Sequence, residues 1–141
     1  MILCFFDGRC EPNPNGISSY GVIVKVNGKE VLREGKYIGR GQGQTNNLAE
    51  YAGCIRVLDF LIDLDMGGAQ IIVRGDSQLV IQQMSGKWNI DGGAYMEKAL
   101  EAKKKVEVFS EIKFEWIPKE ENWECDKLAS EAVREIKNDD R

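Results

Sequence analysis

A chain of 141 residues, 43% hydrophobic and 30% charged, has the size of one globular domain and enough apolar side chain to bury a core. It contains no histidine, which removes Ser–His and Cys–His nucleophile pairs and any imidazole general base, and leaves carboxylates, lysine or a metal as the means of catalysis. A formal net charge of -4 argues against a partner gripped by a basic surface, as nucleic acids commonly are.

The opening run Ile2 to Phe6 is continuously apolar and reads as a strand covered on both faces, closed by Asp7. It is too short for a signal peptide and has no basic lead, and no apolar run approaches a membrane span, so a soluble, cytoplasmic protein without membrane contact is expected. Cys4, Cys10, Cys54 and Cys125 show no paired spacing, which suggests free thiols in a reducing compartment and no zinc cluster. "GRCEPNPNGISS" supplies turn residues, and "YGVIVKV" resumes as a second strand. Asn27-Gly28 then marks a tight hairpin into "KEVLREGKYI", the third strand. Beyond the "GRGQGQ" loop, Leu48, Tyr51, Ala52, Ile55, Leu58 and Ile62 recur at helical spacing over about Asn47 to Leu64. With Asn47 as N-cap, Glu50 falls at the third helical position, where a carboxylate returns a hydrogen bond to the cap residue.

After "DMGG", Ala69 to Val73 form a fourth strand, and Gly75-Asp76-Ser77 turns into the helical "SQLVIQQM". "AYMEKALEAKKKVEVF" is a further helix with a lysine-rich side. Ile112, Phe114 and Trp116 alternate with Lys113 and Glu115 in a fifth strand; the "PKEEN" loop leads to a last helix with apolar Cys125, Leu128, Ala129, Ala132, Val133 and Ile136. There is no internal repeat, and a tail over 138–141 is expected to fray. The order βββαβααβα describes an α/β chain with a five-stranded mixed sheet and helices on both faces, whose working site should lie off the carboxyl ends of the parallel strands.

Asp7 and Asp76 close strands that the crossover helices should make parallel, while Glu50 and Asp126 open helices. Each has an ordinary reading, as turn former, cap or helix-dipole partner. Convergence of all four at one sheet edge would build up like charge that needs cations or raised pKa values. Oxygen ligands without histidine or paired cysteine suit Mg²⁺ or Mn²⁺ rather than zinc.

The strings "FFDGRCEPNPNG", "TNNLAEY", "GDSQLVIQQ" and "EENWECDKLA" resemble, in order and across nearly the whole chain, the four sequence blocks of type 1 ribonuclease H. The resemblance implies an RNase H-like fold, a single domain over 1–137, and Asp7, Glu50, Asp76 and Asp126 as the metal-binding catalytic carboxylates. It implies a nuclease cutting the RNA strand of RNA–DNA hybrids with two Mg²⁺, Mn²⁺ substituting, to leave 5′-phosphate and 3′-hydroxyl ends. Asp7 would be the shared ligand, with Glu50 and Asp76 on one ion and Asp126 on the other. On this reading Glu50 is both cap and catalyst.

The same resemblance places Asn13, Asn46, Asn47 and Gln78 along the minor groove, where an amide can both donate to and accept from a 2′-hydroxyl, with Cys10 beside the RNA strand. It sets Thr45 and Asn122 around a DNA-strand phosphate and Trp88 against a DNA sugar, although turn, cap and core roles compete.

Departures from the family pattern qualify the picture. Gly43 stands where the family often has an arginine, with Arg40 as a partial replacement. A shortened loop before the last helix carries no histidine, and Lys119 is the nearest substitute. The basic insertion of some members is missing, which resembles the compact archaeal-like branch and leaves double-stranded RNA open as a second substrate. Two Mg²⁺ bring four positive charges to four carboxylates and so answer the objection from net charge. The rivals are a catalytically silent hybrid-binding module and a transposase- or integrase-type nuclease core; no obligate protein partner is evident.

Overall fold

The computed structural model describes residues 1–140; Arg141 lies outside them. The chain runs β1 (Ile2–Glu11), β2 (Ile17–Val26), β3 (Lys29–Arg40), α1 (Asn46–Asp63), β4 (Gln70–Gly75), α2 (Gln78–Met84), α3 (Met96–Val106), β5 (Glu111–Trp116), a short 3₁₀ turn (Lys119–Asn122) and α4 (Trp123–Asp139). The sheet order is β3-β2-β1-β4-β5, antiparallel through β1, β2 and β3 and parallel through β1, β4 and β5. This is the RNase H-like arrangement expected from the sequence. Among the described residues no helix is long and apolar enough to cross a membrane.

The hairpin forms at Asn27 and Gly28, whose φ angles of 50° and 83° are those a two-residue turn between right-twisted strands requires. The edge strand β3 carries Lys29, Glu30, Arg33, Glu34 and Lys36, and such charges keep an unpaired edge from recruiting another strand. Residues Ile17–Val24 of β2 are all buried, because helices cover both faces of the sheet there. On one face α1 packs against β1 and β2, with α3 behind it; on the other, α4 lies across β2, β3 and β1. Phe6, Val22, Val24, Tyr51, Leu58, Val73 and Val80 fill the space beneath α1 at essentially zero exposure.

Three boundaries differ from the sequence expectation. β1 does not stop at Asp7 but continues to Glu11, because β2 goes on pairing with it after β4 has left its other side: the β4 register ends at Phe6↔Gly75, while the β2 register continues to Glu11↔Ile17. Asp7 therefore closes only the parallel half of its strand. α1 begins one residue earlier than expected, since Thr45 and not Asn47 is the N-cap, its side chain accepting from the Leu48 N–H at 3.1 Å. α4 extends through Asp139, into the 138–141 segment expected to fray, and Asp140 lies 2.9 Å from Arg40, while Arg141 of that segment lies outside the described residues.

The helices approach the sheet over glycines. A Cβ on Gly21 would collide with the Cys125 carbonyl of α4, and one on Gly8 with the backbone of α1 at Ala49 and Glu50. Backbone obstacles of this kind cannot swing aside. Gly21→Ala should therefore lose about 1–3 kcal/mol of stability in urea unfolding, the usual cost of overpacking. A midpoint equal to that of the parent would show that α4 is not seated on β2 at that point.

Candidate active site

Asp7, Glu50 and Asp76 each present a carboxylate oxygen within 4.8 Å of the others. Asp7 sits where β4 leaves β1, Asp76 directly follows β4, and Glu50 comes from the second turn of α1, where side-chain-free Gly8 lets the helix backbone close in. Glu50 is the fifth residue of the helix counted from Asn46, two residues beyond the third position, from which a carboxylate would return a hydrogen bond to Thr45. The capping role is thus overturned: Thr45 caps, and the Glu50 carboxylate is turned into the cluster instead.

The electrostatics are costly. Asp7 and Glu50 are 4% and 8% exposed, and Glu50 Oε2 is buried with no hydrogen-bond partner. Burial first, and then the charge of Asp76, pushes the Asp7 carboxyl up to about 7, despite help from Glu50 as a hydrogen-bond partner. Burial and then the charge of Asp7 raise Glu50 well above the ordinary carboxylate range. An orphaned buried acceptor among three oxygen donors, with no nitrogen or sulfur ligand in the set, fits a hard divalent cation.

The fourth expected carboxylate is close by but outside this triplet. Asp126, in the first turn of α4, lines the same cleft of about 320 Å³ as Asp7, Glu50, Asp76, Asn46 and Lys119. Its nearest cation is Arg9, at 3.8 Å. Lys119, at the start of the 3₁₀ turn, is exposed on this cleft.

The expected substrate-contacting residues separate into two groups. Cys10, Asn13 and Asn46 are tied together: Asn46 Oδ1 accepts from the Cys10 N–H at 2.8 Å, and Asn13 Oδ1 accepts from the Asn46 N–H at 3.0 Å. Exposed Asn46 thus keeps its NH₂ group free while its oxygen is held. Asn47 is exposed on the first turn of α1, and Gln78 is exposed on the first turn of α2, where it accepts from Gln82. Thr45, accepting from Leu48, retains its hydroxyl proton for donation. Trp88 is 49% exposed, which excludes the core role that competed for it.

Asn122 departs from the expectation. It is 2% exposed, one N–H of its Nδ2 donates to the Phe6 carbonyl at 2.8 Å, and its Oδ1 is enclosed, so the side chain is engaged within the fold and offers little surface to a phosphate. Its amide instead fastens the start of α4 to β1 beside Asp7. Arg40, the suggested replacement for an arginine at Gly43, is held by Asp140.

Several residues of the site were not singled out in the sequence. Arg9 and Glu11 line the cleft because β1 continues past Asp7, and strand alternation then puts both on the Asp7 side. The indole N–H of Trp116 donates to the Asp76 carbonyl at 3.1 Å, fixing the turn that carries that carboxylate. Buried Gln83 accepts from Tyr51 at 2.5 Å and donates to the Asn89 carbonyl and Tyr95 hydroxyl, anchoring the segment that carries Trp88. A glutamine inside a helical stretch gives no sign of such partners until the loop is folded back on it.

Residues 5–132 match a family model described as reverse transcriptase-like. A bifunctional protein of Mycobacterium tuberculosis is 37% identical over 129 residues, covering 90% of this chain and 34% of that protein. The N-terminal RNase H domain of the same mycobacterial protein superposes with a TM-score of 0.87 at 31% identity, covering 99% of this chain and 98% of that one. Ribonuclease HI of Halobacterium salinarum is 34% identical, covering 92% of this chain and 62% of that protein; its crystal structure gives a TM-score of 0.83. LC11-RNase H1, isolated from compost and crystallised with an RNA/DNA hybrid, is 32% identical with a TM-score of 0.84, covering 96% of this chain and 99% of that one. The chain thus spans about a third of the length of the mycobacterial relative.

The buried carboxylates fix a pH dependence for the metal-free protein. Folded Asp7 holds its proton up to about 7, whereas an unfolded aspartate releases it at its ordinary 3.8, so between these values the folded state binds more protons. Stability must then fall as pH rises through that window. In chelator, the Tm should drop between about pH 5 and about pH 8, and less steeply in Asp7→Asn, which should be the more stable protein at the upper end. A Tm that climbs over this range, or a less stable variant at pH 8, would show Asp7 to be structurally favourable as an anion.

Proposed function

The chain belongs to the type 1 ribonuclease H family, and from that membership we propose that it is a metal-dependent endoribonuclease hydrolysing the RNA strand of RNA–DNA hybrids. The observation that carries the proposal is the convergence of Asp7, Glu50 and Asp76 within 4.8 Å on the cleft that also holds Asp126. A silent binding module has no use for a buried charge cluster that costs stability when empty.

Asp7, Glu50, Asp76 and Asp126 would hold the cations, two Mg²⁺ with Mn²⁺ as substitute, with Asp7 as the ligand common to both. When bound, the ions supply Lewis-acid chemistry for in-line attack of water on phosphorus and for stabilising the leaving 3′ oxygen, which yields 5′-phosphate and 3′-hydroxyl ends. The chain's own part is orientation. Trp116 fixes the backbone of Asp76, Gly8 brings Glu50 in, and Asn122 pins α4 against β1 so that Asp126 faces the cleft.

The free amide of Asn46, with exposed Asn47 and Gln78, offers donors and acceptors suited to ribose 2′-hydroxyls and base edges in a minor groove. The hydroxyl of Thr45 can donate to a phosphate of the DNA strand, and exposed Trp88 offers a flat apolar face to a sugar. Lys119, exposed on the cleft, is the cation placed to serve a leaving product in place of a histidine. The compact surface leaves double-stranded RNA as a secondary substrate. Cys4, Cys10, Cys54 and Cys125, all free and buried, agree with a cytoplasmic setting.

Purified protein with Mg²⁺ should cut the RNA strand of a labelled hybrid, leave duplex DNA intact, and lose cleavage in Asp7→Asn. An intact RNA strand at every Mg²⁺ or Mn²⁺ concentration would end the proposal. The groove residues should differ from one another. Gln78→Ala, at an exposed position, should lower kcat/KM on hybrid several-fold with unchanged stability, at about 0.5–1.5 kcal/mol for a neutral hydrogen bond. Asn46→Ala should lower kcat/KM and also Tm, because it strips the Cys10 N–H of its partner. Equal kcat/KM in Gln78→Ala and parent would reduce Gln78 to a helix-surface residue.

A further inference from the structure

The cleft contains a cation of its own. Arg9 follows Asp7 by two residues on β1, and its guanidinium faces two carboxylates at once: Nε and Nη2 donate to Glu11 Oε2 at 3.3 and 3.1 Å, which turns Nη1 towards Asp126 Oδ1 at 3.8 Å. Glu11 is held in turn by Lys137 from the far end of α4, at 2.9 Å. Asp126 and Lys137 lie eleven residues apart on one helix, close to three full turns, so both project from the same side of α4 towards the edge of β1. The result is a ladder of alternating charge, Asp126–Arg9–Glu11–Lys137, strung between a helix and a strand.

This ladder explains why three of the four carboxylates gather within 4.8 Å while Asp126 lies outside the group. The three gather without an ion-pairing basic side chain among the described residues, although Arg9 and Lys119 line the same cleft. Asp126 already has a positive partner, and that partner is fixed by two donor contacts and backed by a second ion pair.

We propose that Arg9 is an internal competitor for the divalent ion at Asp126, so that it sets the metal concentration at which the second site fills while leaving the Asp7–Glu50–Asp76 site untouched. The inference rests on the reading of Asp126 as a ligand given above. Arg9 is a positioning residue here: it acts through Asp126 and needs no contact with the reacting phosphate. A dication entering at Asp126 must either displace the guanidinium or share the carboxylate with it, and like charges sharing one carboxylate weaken each other's hold. Both side chains are about one-third exposed, so solvent screens the contest and the effect is several-fold rather than orders of magnitude.

The test is calorimetric titration of the free protein with Mn²⁺, paired with the Mg²⁺ dependence of single-turnover hybrid cleavage. Arg9→Ala should move the weaker of the two Mn²⁺ binding steps to roughly two- to five-fold lower concentration and leave the tighter one in place, the size expected for a half-exposed ion pair. Arg9→Lys, which keeps the charge but loses the planar fork that Glu11 aims, should fall between the two. The Mg²⁺ midpoint for cleavage should shift in the same direction with KM for hybrid unchanged. An Arg9→Ala protein with parental Mn²⁺ binding and a raised KM would overturn the proposal and make Arg9 a substrate-phosphate contact. Parental values of both would overturn it too, leaving an idle surface pair.

Asp126→Asn separates this inference from the reading beneath it. That variant should lose the weaker Mn²⁺ step, and adding Arg9→Ala to it should then change nothing, since the coupling runs through the missing carboxylate. If Asp126→Asn binds Mn²⁺ like the parent, the assignment of Asp126 as a ligand is what has failed. If Asp126→Asn loses the step but Arg9→Ala alone leaves it unmoved, the assignment stands and the competition does not.

Discussion

Two carboxyl groups buried against each other, Asp7 and Glu50, are the constraint on which the rest of this fold depends. At the separations found in the cluster, two full charges would repel by about 3–4 kcal/mol at an effective dielectric near 20, a sizeable part of what a domain of this size has in total. Such an arrangement survives only where the surrounding structure leaves it no room to relax. Here the support is apolar and close in sequence: Phe6 precedes Asp7, Ala49 and Tyr51 flank Glu50, and all three are fully buried. The strand is locked by pairing on both sides up to Phe6, and Gly8 lets the helix backbone approach where any side chain would hold it off. The core thus does more than stabilise the domain, because it holds charged groups at a spacing they would not choose.

The architecture could be read from the sequence because it follows from local rules: apolar runs of strand length, an Asn-Gly turn, and apolar residues at helical spacing. The gathering of Asp7, Glu50 and Asp76 could be expected too, from strand and helix order and from the resemblance of the sequence blocks that carry them. What escaped was everything that depends on a partner distant in the chain. Asp7 looked like the end of a strand because Gly, Pro and Asn follow it, yet β2 continues to pair with Gly8 through Glu11, and that pairing is what puts Arg9 and Glu11 on the cleft. Glu50 looked like half of a capping box because Asn47 is a good cap; Thr45 is another, two residues earlier, and only the folded loop decides between them. Asn122 is expected, from the resemblance, at a DNA-strand phosphate, whereas its amide donates to a carbonyl on a strand more than a hundred residues away.

The same distinction separates the polar residues that work by being exposed from those that work by being buried. Gln83 and Asn122 are nearly inaccessible and bind backbone carbonyls, of Asn89 and Phe6, so each ties an irregular segment to the sheet or the helix layer. A buried amide of this sort costs free energy unless its partners are in place, which makes the segment it holds well defined. Around the cleft the consequence is a rigid rim: the Trp88 segment through Gln83, the Asp76 turn through Trp116, and the start of α4 through Asn122.

For the proposed function, an acidic protein would have to solve the problem of approach to a phosphate backbone, and the arrangement of neutral and charged groups here bears on how. The groups suited to touching ribose and base edges are amides, Asn46, Asn47 and Gln78, which contribute directional hydrogen bonds and no net charge. Arg9 and Lys119 are outnumbered on the cleft by Glu11, Asp76 and Asp126 even while Asp7 and Glu50 keep their protons, so the empty cleft offers a phosphate backbone no net positive charge. Divalent ions held by the carboxylates, as proposed, would reverse that sign where a phosphate comes close. On the proposed reading, the loading of metal decides whether a phosphate can settle there, and Arg9, which faces Asp126 at 3.8 Å, would bear on that loading without touching the substrate.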